Sequence, residues 1–251
     1  MGVLALREPC VVAVPNGRYV ENCYLVADPV AERCVVIDPG EDPDPILAAL
    51  RHRGWDCDGI WLTHGHMDHV LGVPALREET SAPIWLHPAD RFLYDAAPQF
   101  GPMPWERVVL PAPEHELHDG DTVKVGELAF AVRHAPGHSP GSVCFIGHGL
   151  TIAGDVLFAG SVGRTDLPGG DHTTLIESIA QVLLPLPDAT VVYPGHGRHT
   201  TVGIERATNP FLRQVGAPCQ RCGFAVPPKL MGCKNPCPNC GTVYPHGDCS
   251  D

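Results

Sequence analysis

The chain has 251 residues, of which 44% are hydrophobic and 18% are charged, enough apolar material for one buried domain of about 200 residues with a small unit attached. This composition excludes a disordered chain, and the apolar runs are too short to span a membrane. A formal net charge of −12 disfavours nucleic acids and anionic membrane surfaces as partners, whereas 14 His and 11 Cys direct attention to metal binding.

The N-terminal segment Met1 to Glu8 lacks a basic stretch followed by a long apolar run. We therefore expect no secretory signal, and a cytoplasmic, reducing location. In such a compartment, cysteines scattered singly along the chain are expected to be small buried hydrophobic residues. There are five of these: Cys10, Cys23, Cys34, Cys57 and Cys144.

The first predicted elements are an antiparallel meander of strands and a helix. Strands rich in β-branched residues are expected at Val11 to Val14, Asn22 to Ala27 and Arg33 to Asp38. In the helix that follows, Asp42 offers an N-cap, Pro43 fits the first turn, and Gly54 ends the pattern.

The following elements alternate between strands and helices. A strand at Gly59 to Thr63 leads into a histidine-rich segment. Later strands are expected at Thr122 to Val125, Leu128 to Arg133, Ser142 to Ile146, Leu150 to Ala153 and Thr190 to Tyr193. Helices are expected near Val73 to Glu79, Ala89 to Asp95 and His172 to Leu183. Two groups of strands with interspersed helices predict two packed sheets with helices outside.

The histidine-rich segment places four strong metal ligands within six residues: His64, His66, Asp68 and His69. A regular helix or strand would spread these side chains over different faces, so they must converge from a tight loop. Gly65 makes such a bend easy. The pattern therefore predicts a metal site directly after a strand.

Three further candidate ligands follow the later strands. His138 lies in Pro136-Gly-His-Ser-Pro140, Asp155 follows the strand ending at Ala153, and His196 lies in Pro194-Gly-His-Gly197. Each occupies a glycine-containing turn at or near a strand end, where side chains from several loops can meet.

Taken together, these motifs resemble the metallo-β-lactamase superfamily over residues 10 to 212. Within it, residues 154–166 and 192–196 are most similar to short glyoxalase II-like hydroxyacylglutathione hydrolases. The resemblance implies an α/β fold, specifically an αββα sandwich. It also implies that His64, His66 and His138 hold one metal ion, that Asp68, His69 and His196 hold a second, and that Asp155 bridges the two. Asp38 resembles the family's acidic residue that supports the ligand loop, although a turn residue at the helix entry explains it equally well.

Imidazole and carboxylate ligands suit zinc, and also iron or manganese. Two such ions about 3.5–4 Å apart can bridge a water and lower its pKa to about 7, which provides a hydroxide nucleophile that Asp68 can help to orient. A thioester suits this chemistry because its thiolate leaves without a dedicated acid. We therefore predict a dinuclear metal-dependent thioester hydrolase.

The thiol carrier is left open by the sequence. Arg164 is a candidate substrate-binding residue, since related glyoxalase II enzymes have a basic residue there; the alternative is that it orders the glycine-rich loop. The C-terminal helical domain of longer glyoxalase II enzymes is lacking, so the substrate can be a thioester of glutathione, another small thiol, coenzyme A or a carrier protein.

The composition changes near Gly216, which predicts a hydrolase domain over residues 1–215 and a separate Cys-rich tail over 216–251. In the tail, Cys219, Cys222, Cys237 and Cys240 form two C-x-x-C pairs separated by 14 residues. Such pairs resemble zinc-ribbon and rubredoxin-like sites, with one structural zinc or, alternatively, iron. Cys233, Cys249 and His246 are substitute ligands. As a ribbon, the tail is a candidate for docking a protein or a second subunit.

Three other functions are compatible with parts of the sequence. The nearest is a mononuclear-iron persulfide dioxygenase with a redox-active rubredoxin-like tail, which would hold its iron with two His and one Asp. A non-catalytic scaffold is opposed by the complete ligand set, and β-lactamase activity rests on analogy of fold alone.

Overall fold

A computed structural model of the chain describes residues 7–100 and 108–212, together with Arg221 and Thr242. The tail sites predicted at Cys219, Cys222, Cys237 and Cys240 lie outside the described residues. Within the described part, no helix is both long and apolar enough to cross a membrane.

Six described strands form the first sheet, in the order β1-β2-β3-β4-β5-β6. They are β1 (Cys10–Asn16), β2 (Glu21–Asp28), β3 (Arg33–Ile37), β4 (Asp56–Trp61), β5 (Ile84–Leu86) and β6 (His115–Glu116). The first three strands are antiparallel, as the sequence predicts, and the pairs from β3 onward are parallel.

The second sheet has the order β14-β13-β10-β9-β8-β7. Its strands are β7 (Thr122–Val125), β8 (Leu128–His134), β9 (Val143–Gly147), β10 (Leu150–Gly154), β13 (Val191–Pro194) and β14 (Thr200–Thr201). A hairpin of β11 (Leu157–Phe158) and β12 (Ser161–Val162) lies apart from both sheets in the pairing. The β10–β13 pair is parallel, which brings the ends of both strands to the same edge.

Six described α-helices accompany the sheets: α1 (Pro43–Arg53), α2 (Met67–Val70), α3 (Val73–Thr80), α4 (Arg91–Ala96), α5 (His172–Ser178) and α6 (Val202–Thr208). Short 3₁₀ turns lie at Pro88–Asp90, Ala97–Phe100 and Pro210–Leu212, and a π-helical turn at Ile179–Leu183 extends α5. Helix α1 confirms the predicted ends, because the Asp42 side chain accepts from the Asp44 amide and Gly54 adopts φ +67°.

The apolar core has three clusters, one between the two sheets and one on the outer face of each. Strand β3 illustrates the cause: Val35 and Ile37 face the second sheet, whereas Cys34 and Val36 face the outer helices. Successive side chains on a strand point to opposite faces, so a sheet buried on both faces needs a continuous apolar strand. The result is the αββα sandwich that the sequence predicts.

Between the sheets, Trp61 at the end of β4 packs against Phe130 and Phe145 of the second sheet, with ring centroids 6.2 and 5.1 Å apart. Trp61 is fully buried and is the last residue of β4 before the histidine-rich loop. This contact therefore anchors the start of that loop against the second sheet.

Several predicted boundaries differ from those observed. The strand expected to continue to Thr63 ends at Trp61, because the Thr63 amide donates to the Asp38 side chain at 2.7 Å and its carbonyl accepts from Val143 of the second sheet at 2.8 Å. The short elements β5, β6, β11, β12, β14, α2 and α6 were not predicted. Of the five scattered cysteines, Cys23, Cys34 and Cys144 are buried as expected, while Cys10 and Cys57 are partly exposed.

Asp28 fastens a turn of the first sheet to a turn of the second. Its fully buried side chain accepts hydrogen bonds from the amides of Val30, Ala31 and Glu127, at 3.0–3.2 Å, and pairs with Arg7 at 2.8 Å. Burial opposes the charged form of Asp28, but these donors together hold its pKa below the ordinary value.

We expect Asp28→Asn to lower the free energy of unfolding at pH 7 by about 1–3 kcal/mol, because charge-assisted hydrogen bonds are lost. A carboxyl whose pKa is lowered by folding stabilises the protein above its unfolded pKa of about 4 and loses that contribution as the pH falls through the folded pKa. Urea unfolding of the unmodified protein and of the Asp28→Asn variant should therefore give free energies of unfolding whose difference becomes smaller below about pH 4. A difference that stays constant with pH would contradict this assignment.

Candidate metal centre

The candidate ligands meet at one edge of the sandwich because each follows the end of a strand in one of the two sheets. The loop after β4 supplies His64 and His66, and the short helix α2 that follows supplies Asp68 and His69. The prediction that all four ligands lie on a tight loop is therefore wrong for Asp68 and His69, which lie on one turn of helix. The turn between β8 and β9 supplies His138, and the ends of β10 and β13 supply Asp155 and His196. All seven side chains that the sequence singles out in this domain are brought together.

Their ligand atoms form two groups, each of which could hold a metal ion. One group is His64, His66 and His138; the other is Asp68, His69 and His196. In the first group, His138 Nε2 lies 2.8 Å from His66 Nδ1 and 3.3 Å from His64 Nε2. In the second, Asp68 Oδ2 lies 3.3 Å from His196 Nε2 and 3.7 Å from His69 Nε2. These are the same two sets that the family resemblance implies.

Asp155 lies between the two groups. Its Oδ2 is 3.6 Å from His138 Nε2 in the first group and 3.6 Å from His196 Nε2 in the second, and its Oδ1 is 3.6 Å from His69 Nε2. A carboxylate with one oxygen close to both groups and the other close to the second group has the placement needed to bridge two cations.

Oxygen atoms behind four of the five imidazoles determine which ring nitrogen faces the centre. The Nδ1 atoms of His138 and His196 lie 2.8 Å and 3.2 Å from the carbonyl oxygens of Arg164 and Tyr19, respectively. A carbonyl only accepts, so each Nδ1 must carry the proton and each Nε2 presents a lone pair. Metal-binding histidines are oriented in this way in proteins.

Asp38 imposes the same tautomer on two more imidazoles. It is buried, accepts directly from His69 Nδ1 at 3.1 Å, and accepts from the Thr63 hydroxyl at 2.5 Å. The Thr63 oxygen, having donated its proton to Asp38, is an acceptor for His64 Nδ1 at 3.0 Å. Asp38 thus supports both groups at once. Its φ of +53° lies in the left-handed region, but the N-cap of α1 is Asp42, so its contacts favour support of the ligand loop over a role at the helix entry.

Burial and mutual repulsion favour the neutral forms of His64 and His66. Burial lowers the pKa of His66 to about 3, with His138 adding to the effect, and burial together with the neighbouring imidazoles lowers the pKa of His64 well below its usual value. In the second group, burial opposes protonation of His69, but Asp68 and Asp155 raise its pKa well above the usual value. Histidine binds metals as the neutral imidazole, so a metal in the second group would displace a proton from His69.

Unpartnered buried atoms provide the test of whether this donor set fits a metal. His69 Nε2 and Asp155 Oδ1 are buried and have no hydrogen-bond partner. A buried polar group left unpaired costs about 1–3 kcal/mol. Converging lone pairs and carboxylate oxygens are a fit for divalent cations such as zinc, iron or manganese.

Asp90 is a supporting residue that the sequence did not reveal. It is fully buried in the 3₁₀ turn before α4 and accepts from the Gly65 amide at 2.9 Å, the Ser139 hydroxyl at 2.6 Å and the Gly141 amide at 2.5 Å. It therefore ties the loop that carries His64 to the turn that carries His138. A single Asp between a proline and a helix carries no pattern that would have distinguished it from an ordinary helix cap.

Gly195 allows the second sheet to approach the centre closely. A side chain at this position would collide with Asp155 Oδ1 and would come within 2.9 Å of the His69 ring. The Pro194-Gly-His196 turn therefore requires glycine for space, beyond any requirement of backbone conformation.

A cavity of about 790 Å³ opens onto the centre and is lined by His66, Asp68, His138, Asp155 and His196. Arg164 also lines it, as expected for a substrate-binding residue. Its guanidinium nevertheless donates twice to Asp166, at 2.7 Å each, in an exposed ion pair. Arg164 thus has a partner on its own loop, and its carbonyl supports His138.

Comparison with known proteins places these features in a family. The sequence model of the metallo-β-lactamase superfamily matches residues 16–196. The chain is 36% identical over 208 residues to hydroxyacylglutathione hydrolase GloC of Haemophilus influenzae. The aligned region covers 79% of this chain and 96% of that protein. It is 38% identical over 204 residues to the probable metallo-hydrolase YqgX of Bacillus subtilis, and that aligned region covers 79% of this chain and 95% of that protein.

Solved structures of three proteins are similar in fold and sequence. BLEG-1 B3 metallo-β-lactamase gives a TM-score of 0.75 at 37% identity, over 81% of this chain and 100% of that chain. TTHA1623 in a di-iron-bound form gives 0.72 at 42% identity, over 80% and 100%. ETHE1 from Myxococcus xanthus gives 0.69 at 28% identity, over 80% and 83%.

We expect Asp90→Asn to weaken binding of metal at this centre by about 10- to 100-fold, the usual cost of losing an outer partner of a metal site. Asp90 accepts three hydrogen bonds, and the NH2 group of Asn cannot accept one. At least one of these bonds is therefore lost, and the two ligand loops lose their common anchor. Competition with a chromogenic chelator measures the affinity.

The matched control is Asp95→Asn, a change to an exposed carboxylate on α4 that pairs with Arg91. It should leave the affinity for metal as in the unmodified protein. Equal affinities for the Asp90 and Asp95 variants would show that Asp90 does not position the ligands.

Proposed function

The chain belongs to the metallo-β-lactamase superfamily, and on that premise we propose that it is a dinuclear metal-dependent hydrolase that cleaves a thioester. One observation carries the proposal: the two ligand groups lie side by side, with the Asp155 carboxylate directed at both. A mononuclear site would not need the second group.

In this proposal His64, His66 and His138 hold one ion, Asp68, His69 and His196 hold the other, and Asp155 contacts both. When bound, the two ions supply a hydroxide at neutral pH and polarise the carbonyl of the substrate. Zinc, iron and manganese all suit these ligands, and the di-iron form of TTHA1623 makes iron a candidate equal to zinc.

The residues of the chain orient the reaction. Asp68 is only partly buried, lines the cavity and has its Oδ2 directed at His196, so it can accept a hydrogen bond from the attacking oxygen and orient it. Asp38 and the carbonyls of Arg164 and Tyr19 keep four of the five imidazoles in fixed tautomers, so these ligands do not have to reorganise during the reaction.

The preference for a thioester rests on the leaving group. A thiolate has a conjugate acid with a pKa of about 8.5, so it departs near neutral pH without a proton donor, whereas a lactam nitrogen needs one. The relative named hydroxyacylglutathione hydrolase supports this class of substrate. The thiol carrier is not fixed by these arguments.

A mononuclear-iron persulfide dioxygenase is the second candidate, favoured by the structural likeness to ETHE1 from Myxococcus xanthus. It would hold one iron with two His and one Asp, and would have no use for the complete second group. The two proposals differ in metal count and in the consumption of oxygen.

For the tail, we propose a separate unit in which Cys219, Cys222, Cys237 and Cys240 hold one structural zinc. Four thiolates at this spacing bind zinc tightly, and a segment of this size gains most of its folding free energy from the metal. Its function in this proposal is docking to a protein or to a second subunit.

We expect the zinc-loaded full-length protein to hydrolyse acyl thioesters without consuming oxygen. Loss of an outer partner of a metal site lowers activity by about 10- to 100-fold. His196→Ala should lower kcat/KM by more than this, because it removes a ligand of one ion. The control His52→Ala changes an exposed histidine of α1 and should have no effect. Thiol release, an oxygen electrode and elemental analysis provide the measurements.

Two outcomes would reject the thioesterase proposal. Oxygen consumption with a persulfide by a protein holding one active-site iron would favour the dioxygenase. Turnover of a chromogenic cephalosporin with no thioester cleaved would favour a β-lactamase.

Substitution of Cys219 and Cys237 by serine should remove one zinc per chain of the three expected, and should leave thioester hydrolysis unchanged if the tail has no catalytic role. Metal analysis and the thioester assay test this on the same preparation. An iron–thiolate absorption in the visible spectrum of the unmodified protein would instead indicate a rubredoxin-like tail.

A further inference from the structure

We propose that the substrate's acyl group is apolar and of medium length, and that it lies in the cavity beside the metal centre, against the segment Leu93–Phe100 and the loop from Phe158 to Pro168. This proposal rests on the thioester hydrolase function and specifies which class of acyl group that enzyme accepts.

The wall of the cavity around the ligands is built mainly from apolar side chains. On one side, α4 and the following 3₁₀ turn contribute Leu93, Ala96, Ala97 and Phe100. Facing residues come from the loop that follows Asp155: Phe158, Val162, Leu167 and Pro168. A cavity of about 790 Å³ falls in the range that holds small ligands, about 300–1,000 Å³.

The apolar wall begins directly at the proposed ligands. Gly65 lies in the ligand loop, and a Cβ atom added to it would be 3.0 Å from the Cβ of Leu93. On the opposite side, the Phe158 ring meets the His196 ring edge-on, with centroids 6.1 Å apart. An acyl carbon chain attached to a carbonyl at the centre would therefore contact apolar surface from its first methylene groups.

The cation in the described part of this wall is already neutralised. Both guanidinium contacts of Arg164 are made to Asp166, so a carboxylate on the substrate would have to compete with that ion pair. Tyr19 and Ser161 are the other polar side chains of the described wall apart from the ligands. An acyl group with polar substituents would thus find few partners, whereas an unsubstituted chain needs none.

The size of the expected preference follows from burial of methylene groups. Each methylene moved from water into an apolar site raises kcat/KM by about fourfold if it is buried in the transition state. The increase in kcat/KM should stop when the acyl chain fills the part of the cavity that Leu93 and Leu167 line.

The test uses the full-length, metal-loaded protein and N-acetylcysteamine thioesters, in which only the acyl group varies. We expect kcat/KM to increase about fourfold per methylene from acetyl through butyryl to hexanoyl. 2-Methylpropionyl should exceed 2-hydroxypropionyl, because the hydroxyl replaces a methyl group in an apolar site. Calorimetric titration with the corresponding free carboxylates should give the same dependence on chain length without any turnover.

Ala96→Leu should shorten the acyl chain at which kcat/KM is highest, because the added side chain occupies part of the cavity. Ala89→Leu, an exposed change in the preceding 3₁₀ turn, should not shift that optimum. A shift of the optimum separates filling of the cavity from a general loss of activity.

Hydrolysis that is independent of chain length, or that favours 2-hydroxypropionyl over 2-methylpropionyl, would overturn the apolar-acyl assignment and leave thioester hydrolysis standing. An activity that increases with apolar substitution on the thiol, and not on the acyl group, would likewise overturn the apolar-acyl assignment and leave thioester hydrolysis standing. Failure to hydrolyse any member of the series would overturn the proposed function and this inference with it.

Discussion

The structure depends on the convergence of five imidazoles and two carboxylates at one desolvated edge of the sandwich. His66 Nδ1 and His138 Nε2 lie 2.8 Å apart, and buried atoms such as His69 Nε2 have no partner. Such an arrangement is costly unless cations occupy the space between the lone pairs. The surrounding fold therefore has to hold each ligand rigidly in place while the site itself contributes little to stability.

Two buried acids perform most of that work, and each joins elements distant in sequence. Asp38, at the end of β3, fixes His69 directly and His64 through Thr63, so one carboxylate serves both ligand groups. Asp90 ties the ligand loop after β4 to the turn of His138 in the second sheet. Packing of Trp61 on Phe130 and Phe145 holds the same two sheets together immediately below the loop. The accuracy of the centre is thus a property of the interface between the sheets.

Much of the fold and the seven candidate ligands could be predicted from local patterns in the sequence, whereas the division of the ligands into two groups came from the family resemblance. Alternating apolar strands, the Asp42 and Gly54 helix ends and the closely spaced histidines are all visible within short windows. Asp90 could not be predicted because its partners lie 25 to 51 residues away. The apolar cavity wall was missed for a related reason, since the shape of a cavity is set by tertiary structure. The Arg164–Asp166 pair is local, and it agrees with the alternative that Arg164 orders its own loop. Strands as short as β6 carry too few residues to show a period.

The central claim is that this edge of the sandwich holds two metal ions bridged by Asp155, rather than one. A crystal structure of the metal-loaded protein, with anomalous diffraction recorded at the absorption edge of the bound metal, tests it most directly. Two anomalous peaks are expected, one among His64, His66 and His138 and one among Asp68, His69 and His196, with Asp155 in contact with both. A single peak held by two histidines and one aspartate, with the remaining ligands free at saturating metal, would contradict it.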